Sequence, residues 1–398
     1  MSTGSILKPV LMENIMLSTE INPIHFRFFK PNMQSIAALM PLLPGSDLVC
    51  QPCTGIMVYS FATLQAPSVF HEVERSGTSS IFVAGGPHPS ARPGETLAFF
   101  DYVVIGEGEE TLPELIGVLQ KGGDVSSVRG IAFKKDGSTV FTGKRENIEL
   151  DKYPAFDPDL VHSSIEISRG CPFNCAYCQT PQLFGHRMRH RSIDEIVKYA
   201  EHLRDIRFTS PNAFAYGSDG RRPRAEKIEA LLTALPRRAI FFGTFPSEVR
   251  PEFINDRLLE IVSEYCANTT LSMGGQSGSQ RVLDGIHRGH TVEDIILAVE
   301  RCLAHGITPV VDFIFGLPSE TEDDQLDTLR LIKWLTAKGG KVHSHYFMPL
   351  PGTALKDSSP SPLLRQVEKV VGELALRGKA TGVWSTRLTV HQPSGVFS

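Results

Sequence analysis

Arg169-Gly170-Cys171-Pro172-Phe173-Asn174-Cys175-Ala176-Tyr177-Cys178 sets three thiols at C-x-x-x-C-x-x-C spacing in a short loop, with no fourth Cys or His close by in sequence. A structural zinc site takes four ligands, usually from two separated pairs. Iron and sulfide accept thiolates, and a four-iron cluster held by only three of them leaves one iron with an open coordination position. A small molecule can bind there and receive an electron. A zinc loop, or three ordinary buried cysteines, is the competing reading.

Composition bounds what surrounds this loop. The chain has 398 residues, 41% of them hydrophobic, enough for two or three domains with real cores. No apolar run reaches the roughly 18 to 20 residues needed to span a bilayer, and the N-terminus lacks a basic flank, apolar stretch and cleavage site, which places the protein in the cytoplasm. Seven irregularly spaced cysteines argue against a disulfide framework and for reduced thiols. A net charge of -4 gives no electrostatic case for bulk nucleic-acid binding.

Upstream of the loop, strands alternate with helices. Asn32 caps a helix, residues 56–60 read as a buried strand, 65–76 as a helix, and 81–84 as a strand running into Gly85-Gly86-Pro87-His88. Residues 101–105 form a further strand, ending in Gly106-Glu107-Gly108-Glu109-Glu110 before a helix at 112–119. This order implies a parallel sheet with ligands at its C-terminal strand edge. Taken singly, each Gly-rich loop is equally well explained as a tight turn. The first thirty residues are hard to read beyond the Asn32 cap. Residues 130–133 and 139–141 flank Asp136-Gly137 as a hairpin, and Pro154 and Pro158 break the chain, so a boundary falls near 155.

Downstream, a short strand at 165–168 delivers the loop and Ser192 caps a helix. Strands at 206–209, 239–242, 269–272, 309–315 and 342–347 then alternate with helices near 224–234, 254–264, 292–305 and 323–338, which suits a parallel (β/α) barrel with its site at the C-terminal strand ends. A last helix spans 363–376. His343 and His345 share a face of the final strand, either as acid/base groups or as ordinary core or rim residues. The basic runs at 186–191 and 221–224 read as solvated surface or as holders of an anion.

The cysteine loop, with Tyr177 directly before its last Cys, resembles the signature of the radical S-adenosylmethionine (SAM) superfamily. In that superfamily the amino and carboxylate groups of SAM chelate the open iron of a [4Fe-4S] cluster. The resemblance implies cleavage of SAM to a 5'-deoxyadenosyl radical, or a related use of SAM. It implies metal ligation by Cys171, Cys175 and Cys178. Ser210-Pro211-Asn212 stands where many members have Gly-Gly-Glu, the element that meets the methionine amino group. Gln276-Ser277, followed by His287-Arg288-Gly289, resembles the segment near the ribose and the methionine carboxylate, which makes Arg288 the carboxylate partner. Ile314 and Gly316 match the strand beside adenine.

The upstream half resembles the cobalamin (B12)-binding domain that precedes many radical SAM domains. Ser60, Ala84-Gly85-Gly86-Pro87-His88 and the Tyr102 to Thr111 segment, with Gly106, Glu107 and Gly108, carry the match. The Asp-x-His-x-x-Gly element with which other cobalamin proteins ligate cobalt is absent. The segment before Ile56 matches the usual opening strand poorly, which implies a domain either trimmed or degenerate, the latter with its fold kept and its cofactor absent. The expected architecture is an α/β chain: a Rossmann-like B12-type sheet over 1–127, a hairpin and linker over 128–155, a partial (β/α)6 TIM barrel over 156–355, and a C-terminal helix and tail over 356–398.

The resemblance implies a cobalamin-dependent enzyme methylating an unactivated carbon of an unknown substrate, served by an electron donor such as ferredoxin or flavodoxin, with no membrane partner and no evident nucleic-acid-binding domain. Three alternatives stand beside it: a methylthiotransferase-like enzyme modifying tRNA or protein, other radical SAM chemistry beside a cofactor-free B12-like domain, and a non-enzymatic cluster sensor. Cys50 and Cys53 are either plain thiols or ligands of a metal or second cluster.

Overall fold

The computed structural model describes residues 22–159 and 163–384. Its first unit is one sheet of seven strands, β1 (Ile24–Arg27), β2 (Asp47–Val49), β3 (Ile56–Ser60), β4 (Ile81–Gly85), β5 (Tyr102–Val104), β6 (Ile131–Lys135) and β7 (Ser138–Phe141), in the order β2-β1-β3-β4-β5-β6-β7. β1 to β5 run parallel, and β6 and β7 antiparallel. Ile56 and Val58 share one core with Val83, Val104 and Leu115, while Met57 and Tyr59 share the opposite one with Val69 and Phe70. Helices Gly108–Gln120 and Ala66–Arg75 cover these two faces. Burial on both sides is why the strands read as continuous apolar runs.

Two expectations change here. The opening strand is present: β1 pairs with β3 through Ile24↔Ile56, and its buried Ile24 and Phe26 alternate with the less buried His25 and Arg27. Four residues of period two are too few to stand out from the surrounding chain. The hairpin is no free connector, because β6 pairs with β5 and buries Ile131, Ala132 and Phe133 in the sheet's cores.

The second unit begins with β8 (Ile165–Glu166), β9 (Ser168–Arg169) and β10 (Arg189–His190), and continues with β11 (Asp205–Thr209), β12 (Ala239–Phe241), β13 (Thr270–Gln276), β14 (Thr308–Phe315), β15 (Lys341–Tyr346) and β16 (Ala380–Val383). The parallel sets β12-β11-β8 and β13-β14-β15-β16 are stitched together where Ser272 N–H donates to Gly243 O at 2.8 Å and Val249 N–H to Ser272 O at 2.9 Å. The result is an open barrel. Ser192, Asn255, Thr291 and Thr321 cap helices by accepting a first-turn N–H, and Thr291 and Thr321 form full capping boxes with Asp294 and Asp324. Along β14, Val311, Phe313 and Phe315 join the barrel's main core, and Asp312 falls on the opposite face. The barrel sheet does not end at 355: helix Arg365–Leu376 leads to β16, which adds to β15 through Val342↔Ala380. The remainder of the expected tail, beyond 384, and residues 1–21 lie outside the described residues. Among the described residues no helix is long and apolar enough to cross a membrane.

Candidate functional site

β9 pairs antiparallel with β10, Arg169 opposite Arg189, so residues 170–188 form a loop closed at its neck. Gly170, at φ +88°, turns the chain into Cys171, and a side-chain carbon there would collide with the Arg187 carbonyl. Backbone bonds hold the loop: Cys171 N–H to Gly185 O at 3.1 Å, Ala176 N–H to Ile286 O at 2.9 Å and Cys178 N–H to Cys175 O at 3.0 Å. Cys171, Cys175 and Cys178 line one cavity together with Tyr177, Asn212, Glu248, Arg250, Gln276 and Arg288. All are free thiols. Among the described residues no three Cys, His, Asp or Glu side chains converge on a single ion. Three thiols lining one cavity are a donor set that a polynuclear cluster takes, each sulfur with its own iron.

Two guanidinium groups face the buried thiol. Arg288 Nη1 lies 3.7 Å from Cys175 Sγ and its Nη2 donates to Gly274 O at 2.9 Å. Arg250 Nη1 lies 4.0 Å from the same sulfur, with its guanidinium stacked 3.6 Å above the Phe173 ring and a further N–H donated to Arg288 O. Among the described residues Arg288 Nε and both polar side-chain atoms of Asn212 have no partner, although these residues are only 8% and 4% exposed. Buried polar groups are normally paired. Unpaired ones on a cavity wall are the groups that a zwitterionic ligand would satisfy. Burial pushes the Tyr177 hydroxyl up, opposed by Arg288. Burial also works to raise the Glu252 carboxyl, but His290, 3.5 Å away, and Arg250 override it and hold it at about 2.

Burial, followed by the neighbouring Glu248 carboxylate, pushes Asp312 up to about 9. A carboxyl raised on folding binds its proton more tightly in the native state, so its contribution to stability falls as pH rises from the ordinary carboxylate range toward 9. Asp312→Asn should therefore compare better with wild type at pH 8 than at pH 5. Urea unfolding at the two pH values checks this, and an unchanged difference would contradict the shift.

Of the residues expected around SAM, Tyr177, Asn212, Gln276 and Arg288 meet on the cavity wall. Four do not. Ser277 is fully buried and bonded to Thr328, because the chain turns inward after Gln276, which sits at φ +70°. Ser210 Oγ accepts the Asn212 N–H at 3.3 Å and shapes the turn. Ile314 packs with Leu317 and Phe347, and Gly316 donates its N–H to Glu320 at 2.7 Å. Glu248 and Arg250 were not anticipated. The signal for them was two charges flanking Val249, a short way past an apolar strand end.

A second cavity opens at the C-terminal edge of the first sheet. Ser60, Gly85, Gly86, Gly106, Glu107 and Gly108 line it, with Arg169, Leu183 and Phe184 contributed by the barrel side. Gly86, at φ +96°, leaves no room for a side chain against Ser60 Oγ and the Phe61 backbone, so only glycine lets these two strand ends pack this closely at the cavity rim. His88 is not on this wall. It is 4% exposed between the Phe61 and Phe70 rings, because the helix Pro87–Ala91 turns it back into the aromatic core. Glu107 faces the cavity only in part, since Arg169, Arg189 and the Ile148 N–H engage both of its oxygens.

Two family models match the chain: the radical SAM superfamily over residues 165–332 and the B12 binding domain over 53–116. An uncharacterized methyltransferase of Pyrococcus horikoshii is 26% identical over 326 residues, covering 76% of this chain and 68% of its own length. A tRNA-2-methylthio-N(6)-dimethylallyladenosine synthase of Chlorobium chlorochromatii is 28% identical over 277 residues, covering 66% of this chain and 58% of its own. The chain thus spans only part of each relative. Among solved structures, the radical SAM methyltransferase TsrM of Kitasatospora setae, bound to cobalamin and a [4Fe-4S] cluster, matches with a TM-score of 0.65 at 16% identity, covering 84% of this chain and 74% of that one. The cobalamin-dependent SAM radical enzyme OxsB matches with a TM-score of 0.60 at 18% identity, covering 79% and 52%.

Proposed function

We propose that this chain, which carries a B12-binding domain followed by a radical SAM domain, is a cobalamin-dependent methyltransferase acting on an unactivated carbon. One observation carries the reading: the cysteine loop faces both cavities, with its thiols in one and Leu183 and Phe184 in the other. When bound, the cluster supplies an electron that cleaves SAM to a carbon-centred radical, and cobalamin supplies a methyl carrier. The residues present fit both groups. Cys171, Cys175 and Cys178 would hold the cluster. Arg288, whose Nε has no partner among the described residues, would meet the SAM carboxylate, with Arg250 locked beside it by Glu252 and the Arg288 carbonyl, and the unpaired Asn212 amide would meet its amino group. Gln276 and Tyr177 close the wall around them. Cobalamin would be held in the cavity lined by Gly85, Gly86 and Gly106 on the sheet side and by Leu183 and Phe184 on the barrel side, where it would supply the methyl carrier.

An external low-potential donor such as ferredoxin or flavodoxin provides the electron. The methylthiotransferase reading is weaker, because Cys50 is exposed, Cys53 contacts Met57, and these two thiols alone do not supply the three ligands of a second cluster. The reading is tested with SAM deuterated at its methyl group and given to the reduced, cluster-reconstituted protein. The label is expected in the cobalamin recovered from the protein. SAM cleavage with no label in that fraction would end the methyl-carrier role.

A further inference from the structure

Glu107 was expected to touch a cofactor, yet its carboxylate is spent elsewhere. Oε1 pairs with Arg169 Nη1 at 3.4 Å and with Arg189 Nη2, while Oε2 accepts the Ile148 N–H at 2.7 Å and Arg189 Nη1 at 3.1 Å. The Glu107, Arg169 and Arg189 side chains are 3%, 8% and 15% exposed. Arg169 and Arg189 are register partners in β9 and β10, the two strands that form the neck of the cysteine loop. One carboxylate of the N-terminal domain thus grips the loop at both its entry and its exit. Only Gly170 separates Arg169 from Cys171. Glu109, two residues on in the first turn of the helix Gly108–Gln120, reinforces the grip through Arg169 Nη2 at 2.7 Å, and Glu166 holds the same nitrogen at 2.6 Å. On the other side of Glu107, Gly106 and Gly108 belong to the wall of the glycine-lined cavity.

We infer that Glu107 is a positioning residue that fixes the register between the glycine-lined cavity of the first domain and the cluster loop of the second. The physical reason is desolvation. Charge-assisted hydrogen bonds within a water-excluded network are directional and hard to exchange for water, so they hold two domains to one relative placement. A loop anchored only through its exposed tip would sample many. The inference rests on the proposed function for its cofactors but not for its mechanical content, and the test separates the two.

Glu107→Gln keeps the shape and an acceptor for the Ile148 N–H while removing the charge that pairs with both arginines. Hydrogen–deuterium exchange on the full-length, cofactor-free variant is expected to rise about tenfold at residues 167–172 and 188–191, and to stay at wild-type rates in the helix Val292–Ala304. Arg189→Gln, which retains the Glu107–Arg169 contact, serves if the first variant does not fold, and should show the same rise at 188–191 and also at 106–109. In reconstituted wild type and Glu107→Gln samples brought to equal iron and cobalt content, the spin–spin interaction between cob(II)alamin and the dithionite-reduced cluster should change from one defined distance in wild type to a broad distribution in Glu107→Gln. Wild-type exchange at both necks, or an unaltered spin interaction with both cofactors bound, would overturn the inference. A wild-type protein that takes up no cobalamin would overturn the proposed function instead, leaving the exchange result to decide the role of Glu107.

Discussion

Cys175→Ala is expected to bring iron after anaerobic reconstitution from about four atoms per chain to near zero, and SAM cleavage down by on the order of a thousandfold or more. Cys175 is the buried member of the trio, and its sulfur is the shared neighbour of Arg250 and Arg288. Its removal leaves two thiols for a cluster that needs three, and two buried guanidinium groups without the anion they face. Cys171→Ala and Cys178→Ala should act in the same direction. Cys266→Ala and Cys302→Ala are the controls. Burial pushes both of those thiols up to about 12, Cys302 is fully buried in the barrel core, and neither lines the cavity that holds the three loop thiols. Iron retained by Cys175→Ala, or lost equally from the controls, would show that the loop is not the cluster site.

Arg169→Met should destabilise the folded chain by about 3–5 kcal/mol at pH 7, the cost of leaving buried carboxylates without their partner. Arg169 serves Glu107, Glu109 and Glu166, whose side chains are 3%, 6% and 15% exposed, and in its absence Glu107 keeps Arg189 and the Ile148 N–H. The loss should depend on pH. Burial alone would raise Glu109, but Arg169 holds its carboxyl below the ordinary value, so in wild type this residue contributes stability above the unfolded-state pKa that is lost as pH falls through the folded one. Without Arg169 burial dominates and the carboxyl protonates more readily. The gap between wild type and variant is therefore largest at pH 7 and narrows toward pH 4.5. Urea unfolding across that range measures it, and a small, pH-independent loss would mean that water reaches the network.

The parts legible in the sequence are those whose chemistry is written in adjacent residues. Three thiols within eight residues mark a ligand set from local sequence alone, and glycines following an apolar strand mark the strand-end turns that line the first sheet's cavity. The strand and helix alternation of the barrel was equally local, because each strand is buried by the helix that follows it. Residues that act across distance were not legible. Arg250 reaches Cys175 from 75 positions away, and Glu107 meets Arg189 across 82. Sequence placed Glu107 correctly in a Gly-rich turn but could not show that its carboxylate is turned toward the second domain. His88 follows two glycines as a ligand residue would, and only the helix that begins at Pro87 reveals that it points into the aromatic core. The hairpin and β16 were misplaced for a similar reason: a short strand shows its own pattern but not the neighbour that it joins.

The most direct test of the account is the metal content of the wild-type protein, purified without oxygen from cells supplied with cobalamin and then reconstituted with iron and sulfide. About four irons and about one cobalt per chain are predicted, with the cobalt retained and the iron lost in Cys175→Ala. Four irons without cobalt would contradict the account, because the glycine-lined cavity would then be a fold retained without its cofactor.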